Sequence, residues 1–376
     1  MYYHTDLLRA SATMTRSQTF RIDLPKTGLL SALQLVIEAP SVSAAFAAGG
    51  NWRLLDYLTT VEVIGNGSTV IKSLQAKHLD FLSLLHQGVI PPHYWRNYAT
   101  NTQREVIPIL FGRNLWDTEF GLDLGKWDNV ELRITNTATA LTHGADLTIK
   151  IAQFWLRASP SGFRGFIRSE TWREWATVQD QTQYLILPTE FPISGIILRA
   201  LPHATTGMSD TGFANLMFDI ELSQQGGTLL MFDGSLSDAA YMAHLMMGKD
   251  VLSSGEWYGN ADAGIDTGVG GMFGWSGVWG SKNGAAAAVD LTMIADATDN
   301  TISFEGAAAD QVAEFITMGH SYQNSVPLLH VPDLNPDFLL DPKRDGECRL
   351  NIHTRNLAAA AAGLNQVVLE RLVGSV

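Results

Sequence analysis

Phe120-Gly-Leu-Asp123, a six-residue gap and Val130-Glu-Leu-Arg-Ile134 return later in the chain as Phe338-Leu-Leu-Asp341, a gap of the same length and Cys348-Arg-Leu-Asn-Ile352. The offset is 218 residues at Phe120 and again at Ile134. Just upstream, Ile107-Pro-Ile-Leu110 answers Val326-Pro-Leu-Leu329 with one residue of slippage. Self-similarity on this scale makes the chain two copies of one structural unit.

The two copies stay in step toward their beginnings. Phe20-Arg-Ile-Asp-Leu-Pro25 and Tyr184-Leu-Ile-Leu-Pro188 each lead within a few residues to a second apolar stretch, Leu30-Ser-Ala-Leu33 and Ile193-Ser-Gly-Ile196. A hairpin follows in both, with Asn66-Gly67 and Gly226-Gly227 supplying the positive φ angles of a tight turn. Helical spacing then runs over Leu74 to Gln87 and over Ser237 to Met247, stopped by Gly88 and Gly248 as C-caps. Three more strands close each half, with Leu132 and Ile134 inward and Glu131 and Arg133 outward. Only one helix per half is available, so a parallel sheet with helical crossovers is excluded and an antiparallel sandwich is expected. Equal offsets also place Phe120 with Phe338, Leu132 with Leu350 and Ile134 with Ile352 at equivalent inward positions.

At 376 residues the chain exceeds the span of one hydrophobic core. The expected division is an N-terminal arm (1–18), a first sandwich (19–157), a linker (158–181) and a second sandwich (182–376) that carries an outward loop insertion at 249–310. Charged residues make up only 17%, which suits a surface largely covered by neighbours. A net charge of −13 excludes a basic grip on nucleic acid, so no direct sequence-specific nucleic-acid binding is expected. The single cysteine, Cys348, excludes a disulfide framework and takes an aliphatic position equivalent to Val130, where a buried, inert thiol is expected. Residues Met1 to Met14 lack the apolar core of a secretion signal and no stretch is long and apolar enough to span a membrane, so neither secretion nor embedding is expected.

Two segments depart from the repeat. Residues 249–310 hold nine acids against Lys249 and Lys282 and are dense in glycine, with Trp257, Trp275 and Trp279 among small residues. This composition reads as an outward crown with a small aromatic core. The linker carries Arg164, Arg168 and Arg173 beside Phe163, Phe166, Trp172 and Trp175. It reads either as a helix with its aromatics against the sandwiches and its arginines solvated, or as a patch for an anionic surface.

Catalytic chemistry finds no foothold. The ten histidines form no His-Glu-x-x-His pair and no cupin-like His-x-His with a following glutamate. His78, His86, His244 and His353 read as structural surface or boundary residues. Asn260, Asp262 and Asp266 lack the full acidic set of a calcium loop, and no nucleophile elbow or phosphate loop occurs. No catalytic, cofactor-binding or metal-binding residue is assigned, no cofactor is implied, and the protein is not read as an enzyme.

With its internal repeat, Leu-Pro strands, post-hairpin helices and Phe-x-Leu-Asp motifs, the chain resembles the double jelly-roll major capsid proteins of the adenovirus and tectivirus lineage, from about Thr19 to Val373. The resemblance implies an all-β protein of two tandem eight-stranded antiparallel jelly-roll sandwiches, each with one flanking helix. It further implies a structural role in the virion after assembly in the host cytoplasm. The implied partners are two further copies in a pseudo-hexameric homotrimer, neighbouring capsomers, minor capsid or vertex proteins, and the internal lipid membrane common in the family. Exposed aromatics such as Tyr94, Trp95 and Tyr98 are candidate contacts between copies, or else cover their own loop. A carbohydrate-binding or carbohydrate-cleaving tandem sandwich is the alternative, drawing on the tryptophans and acids of 249–310.

Overall fold

Among the described residues, period-two alternation between chain-reversing turns builds eight sandwich strands in each half, beside shorter strands. The computed structural model describes residues 2–40, 54–91, 93–94, 102–137, 146–157, 162–178, 180–201, 217–247, 251–259, 263–266, 269–270, 294–296, 301–304, 311–319, 321–354 and 364–374. The first half comprises β1 (Tyr2–Met14), β2 (Gln18–Asp23), β3 (Leu29–Pro40), β4 (Leu58–Gly65), β5 (Thr69–Leu74), helix α1 (Ala76–Gln87), β6 (Thr102–Leu110), β7 (Val130–Asn136) and β8 (Leu147–Arg157). The second comprises β9 (Gly165–Ala176), β10 (Gln181–Ile186), β11 (Ile193–Leu201), β12 (Asp219–Gln224), β13 (Leu229–Gly234), α2 (Leu236–Met247), β14 (Ser325–His330), β15 (Arg349–Thr354) and β16 (Leu364–Gly374).

Hydrogen bonding orders these strands identically twice. Among the described residues the first half forms β1-β8-β3-β6 and β2-β7-β4-β5, and the second forms β9-β16-β11-β14 and β10-β15-β12-β13. Each sheet interleaves strands from the two ends of its half, which is the jelly-roll order. Small interactions repeat as faithfully as the strand order. Leu24 donates its N–H to Val130 at 2.8 Å and Leu187 to Cys348 at 2.9 Å, closing both Leu-Pro strands onto equivalent residues. Asp123 accepts from the Gly125 N–H and Asp341 from the Lys343 N–H, so the acid of each Phe-x-Leu-Asp motif caps the next turn.

The inward residues meet between the sheets. Ile134 lies between Phe20 and Val61 and Leu132 between Ile22 and Val63. Their counterparts Ile352 and Leu350 pair with Ile220 and Leu222, and all four side chains are fully buried, as the repeat predicts. Asn66 and Gly67 turn the first hairpin with φ of 50° and 74°. In the second, Gln225 joins Gly226 and Gly227 in a three-residue turn of positive φ. Both helices occur as expected, and Gly88 ends α1 in the left-handed conformation, its N–H bonded to Leu84.

Three expectations change. Residues 1–18 are no free arm, because β1 pairs with β8 from Tyr2 opposite Arg157 to Met14 opposite Leu147 and is the eighth strand of the first sandwich. It lies at a sheet edge with mainly exposed side chains, so its apolar signal in sequence is faint. The linker helix is also replaced by a strand, β9, bonded to β16 along its length. Its aromatics pack on both cores, Phe166 against the first and Trp172 and Trp175 against the second, with Trp172 standing unpaired at a register shift between Thr171 and Arg173. Third, Phe120 is buried at 4% exposure whereas Phe338 is 67% exposed.

Within 249–310 the described backbone includes Val251–Gly259, paired with Gln311–Gly319, and a small sheet of Ala263–Asp266, Thr301–Phe304 and Ile294–Asp296. The expected crown and its aromatic core otherwise lie outside the described residues, as does Gly248.

Candidate functional site: the seam between the two sandwiches

Strand β9 joins the halves. One side of it pairs antiparallel with β16, and the other pairs in parallel with β5 of the first half, Ser169 opposite Lys72 and Glu170 opposite Ser73. One ten-stranded sheet therefore runs through both sandwiches, extended past β14 by Ser321–Tyr322 and Val269–Gly270. Further main-chain bonds tie the seam, from Ile167 to Phe111, Gly121 to Gly165 and Arg164 to Glu119, each 2.8 Å. Gly165 has no room for a side chain, since a Cβ there would stand 2.3 Å from the Val373 carbonyl oxygen.

Beside this backbone, Phe120 of the first half enters a cluster of Ile167, Val331, Leu334, Leu339 and Leu372 from the second. The Arg113 guanidinium lies 5.0 Å over its ring and forms ion pairs with Asp117 at 2.8 Å and Glu119 at 2.9 Å. Burial raises the Asp117 pKa, but Arg113 and three backbone N–H groups outweigh it and hold the carboxyl below its ordinary range. Deeper in, Ile197, Tyr322 and Val368 of the second half join the core of the first.

A buried polar network fills the rest of the seam. Lys72 donates to the Ser169 hydroxyl at 2.7 Å, which donates to Glu370 Oε1 at 2.9 Å. The other carboxylate oxygen, Oε2, lies 2.8 Å from His86 Nε2, and the His86 ring meets His330 edge-on at 5.2 Å. Burial pushes Lys72 down to about 8 against the pull of Glu370. It would raise Glu370, yet His86, Lys72 and His330 hold that carboxyl at about 2. Burial and neighbouring His86 push His330 down to about 4.

Toward the start of α1, Arg199 donates to the Gln75 side chain at 2.7 Å, to Gln366 at 3.1 Å and to the Gln323 carbonyl at 3.0 Å. Asp80 accepts from the Tyr322 hydroxyl at 2.6 Å and from Gln323 at 2.7 Å. His78 touches Gln366 and Thr171, and burial with nearby Arg199 keeps its pKa well below the ordinary value. Partners from both halves fix the angle between them, since leaving any of these groups unpaired would cost about 1–3 kcal/mol or more.

Contrary to the sequence expectation, His78 and His86 are interior residues of the seam rather than surface ones, because the second half covers α1. His353 bonds Thr182 at 3.0 Å and His244 is half-buried on α2. Arg168 pairs with Glu170 at 3.0 Å and Glu190 at 3.4 Å, Arg164 with Glu119 at 3.9 Å, and Arg173 stacks on Trp172 at 5.0 Å. Those pairings leave the anionic-surface reading of the linker arginines without support. Cys348 is buried, as expected. Trp95, Tyr98, Asn260, Asp262, Trp275 and Trp279, with the side chains of Tyr94, Trp257 and Asp266, lie outside the described residues.

No family model matches the chain, and no curated protein matches it in sequence. Solved structures do. A chain in the atomic structure of Sulfolobus Turreted Icosahedral Virus superposes with a TM-score of 0.60 at 8% identity, covering 99% of this chain and 90% of that one. The major capsid protein P2 of bacteriophage PM2 gives 0.53 at 12% identity over 99% and 98%, and a chain of the PBCV-1 virus capsid gives 0.55 at 10% over 99% and 94%. The fold is the double jelly roll.

The double jelly roll has one half of its seam twice over. Counting from the strand before each helix, Phe81, Leu82 and Leu85 of α1 correspond to Tyr241, Met242 and Leu245 of α2. The α1 residues are buried in the shared core, while the α2 residues are exposed, Leu245 at 79%. Phe120 and Phe338 show the same contrast. The strand equivalent to β5, namely β13, is a sheet edge among the described residues, with Leu229, Leu230 and Met231 exposed. At the other end of the chain β1 is an edge too, beside a cluster of Tyr3, Trp116 and Phe154. Trp116 is 54% exposed, and the 218-residue offset makes it the counterpart of Leu334, which packs on Phe120 in the seam.

Proposed function

We propose that this chain is a major capsid protein of an icosahedral virus, assembling as a homotrimer whose six sandwiches tile the shell against neighbouring capsomers. One observation carries the reading: the face that β5, α1 and Phe120 present to the second half recurs on β13, α2 and Phe338 with its apolar residues uncovered. Repeating the internal seam between copies sets β13 and α2 of one copy against β1 of the next, with Phe338 near Trp116. Three such junctions alternate with three internal seams and close a ring when each step turns through one sixth of a circle. The fold shared with viral capsid proteins and the lightly charged surface support the same reading. The role is structural, its place is the virion, and its copies gather in the host cytoplasm before assembly. The carbohydrate-active alternative gains no support from the matched folds.

Sedimentation and native mass spectrometry of the purified chain test this. A trimer at micromolar concentration is expected, and Leu245→Asp should yield folded monomer. A monomeric wild-type chain in moderate salt would overturn the proposal.

A further inference from the structure

His86, on the last turn of α1, His330, at the end of β14, and Glu370, within β16, each turn one ligand atom to a common point, and these atoms lie within 4.8 Å of one another. We infer that the seam holds a divalent cation of the zinc class, bound by these two imidazoles and one carboxylate, with water as the fourth ligand. Two nitrogens and one oxygen from rigid elements are a donor set that suits zinc, whereas calcium and magnesium favour oxygen alone.

Two further features of the geometry point to an ion. The carboxylate is divided by task, because Ser169, backed by Lys72, holds Oε1 while Oε2 turns to His86. That is the outer support expected of a metal-binding carboxylate, and an ion would replace the hydrogen bond between Oε2 and His86. His330 keeps a buried Nδ1 with no hydrogen-bond partner among the described residues. A buried ring nitrogen left unsatisfied calls for a bound species. Donors about 2.1 Å from a tetrahedral ion stand about 3.4 Å apart, so binding would open the 2.8 Å contact between His86 and Glu370 and draw the more distant donors inward. One ligand comes from the first sandwich and two from the second, so the ion would staple the seam rather than catalyse.

The test uses the full chain, stripped with a chelator, desalted and titrated first with Co2+ and then with Zn2+. One equivalent of Co2+ should bind with the visible absorption of a four-coordinate site, be displaced by Zn2+, and raise the melting temperature. His330→Phe, which keeps a ring against His86, should weaken that uptake by at least about 100-fold and abolish the thermal shift. Uptake below one equivalent in the wild type, or equal uptake by wild type and H330F, overturns the inference. Should H330F fail to fold, His86→Gln, which keeps a hydrogen bond to Glu370, is read by the same criteria.

Discussion

Replacing Phe120 and Phe338 separately by alanine distinguishes folding from assembly. Phe120 is 4% exposed in the seam cluster, so Phe120→Ala removes a filled site and should cost the chain about 3–5 kcal/mol. Phe338, at 67% exposure, gives the lone chain little, and Phe338→Ala should change its stability by no more than about 0.5 kcal/mol. In the proposed trimer the balance inverts. Burying the exposed two thirds of a phenyl ring is worth about 1–2 kcal/mol at each junction, hence about 3–6 kcal/mol over three. Trimer dissociation should rise by about 10²–10⁴-fold. Denaturant melts of dilute chain read the first effect, and sedimentation equilibrium across a concentration series reads the second. Equal destabilisation of the chain by the two variants, or an F338A trimer as tight as wild type, would refute the reasoning.

Other expectations concern the sandwich interiors. Ile134→Ala and Ile352→Ala should each cost about 2–5 kcal/mol in denaturant melts, since both side chains are fully buried at equivalent positions; a negligible loss at either would mean that its strand register is wrong. Asp117 has a depressed pKa, so its stabilisation is complete above about pH 4 and fades as pH falls through the lower native value. Asp117→Asn should accordingly flatten the acid limb of a stability-versus-pH curve measured between about pH 2 and 6, and an unchanged limb would contradict this. Burial raises the Cys348 thiol to about 11, so a thiol reagent at pH 8 should label it only as fast as the chain opens, with rapid labelling of native protein as the opposing result.

Much of the fold was legible in the repeat. Ile134 and Ile352 fall at a fixed offset because strand residues have a fixed facing, and the Asn66-Gly67 turn carries its own backbone signature. What escaped were the strands at which the halves begin. Most side chains of β1 face solvent, and β9 shifts register midway, so neither keeps an apolar alternation. The seam was hidden for another reason. His86, His330 and Glu370 lie on three elements far apart in sequence, and no spacing rule links such residues. One hint was present: Lys72 sits between Ile71 and Leu74, and Glu370 and Arg371 interrupt the apolar run from Val367 to Val373. A charge inside an apolar strand flags a strand covered on both faces, with a partner supplied from elsewhere.

The internal seam buries a network of ions and amides beside its apolar cluster, whereas the matching uncovered face exposes Leu229, Leu230, Met231, Tyr241, Met242 and Leu245. Chain continuity makes the difference tolerable. Short covalent connections hold the two halves at an effective concentration of order millimolar, so costly desolvation of Lys72, Glu370 and Arg199 is met once, during folding, whatever the protein concentration. Contacts between copies in the proposed trimer would have no tether and would form by mass action. Non-directional apolar contacts tolerate imperfect first encounters and can part again, so misjoined copies can separate and rejoin. On the proposed assembly, folding would fix one rotation step and leave the other correctable, which suits a shell that must close without errors.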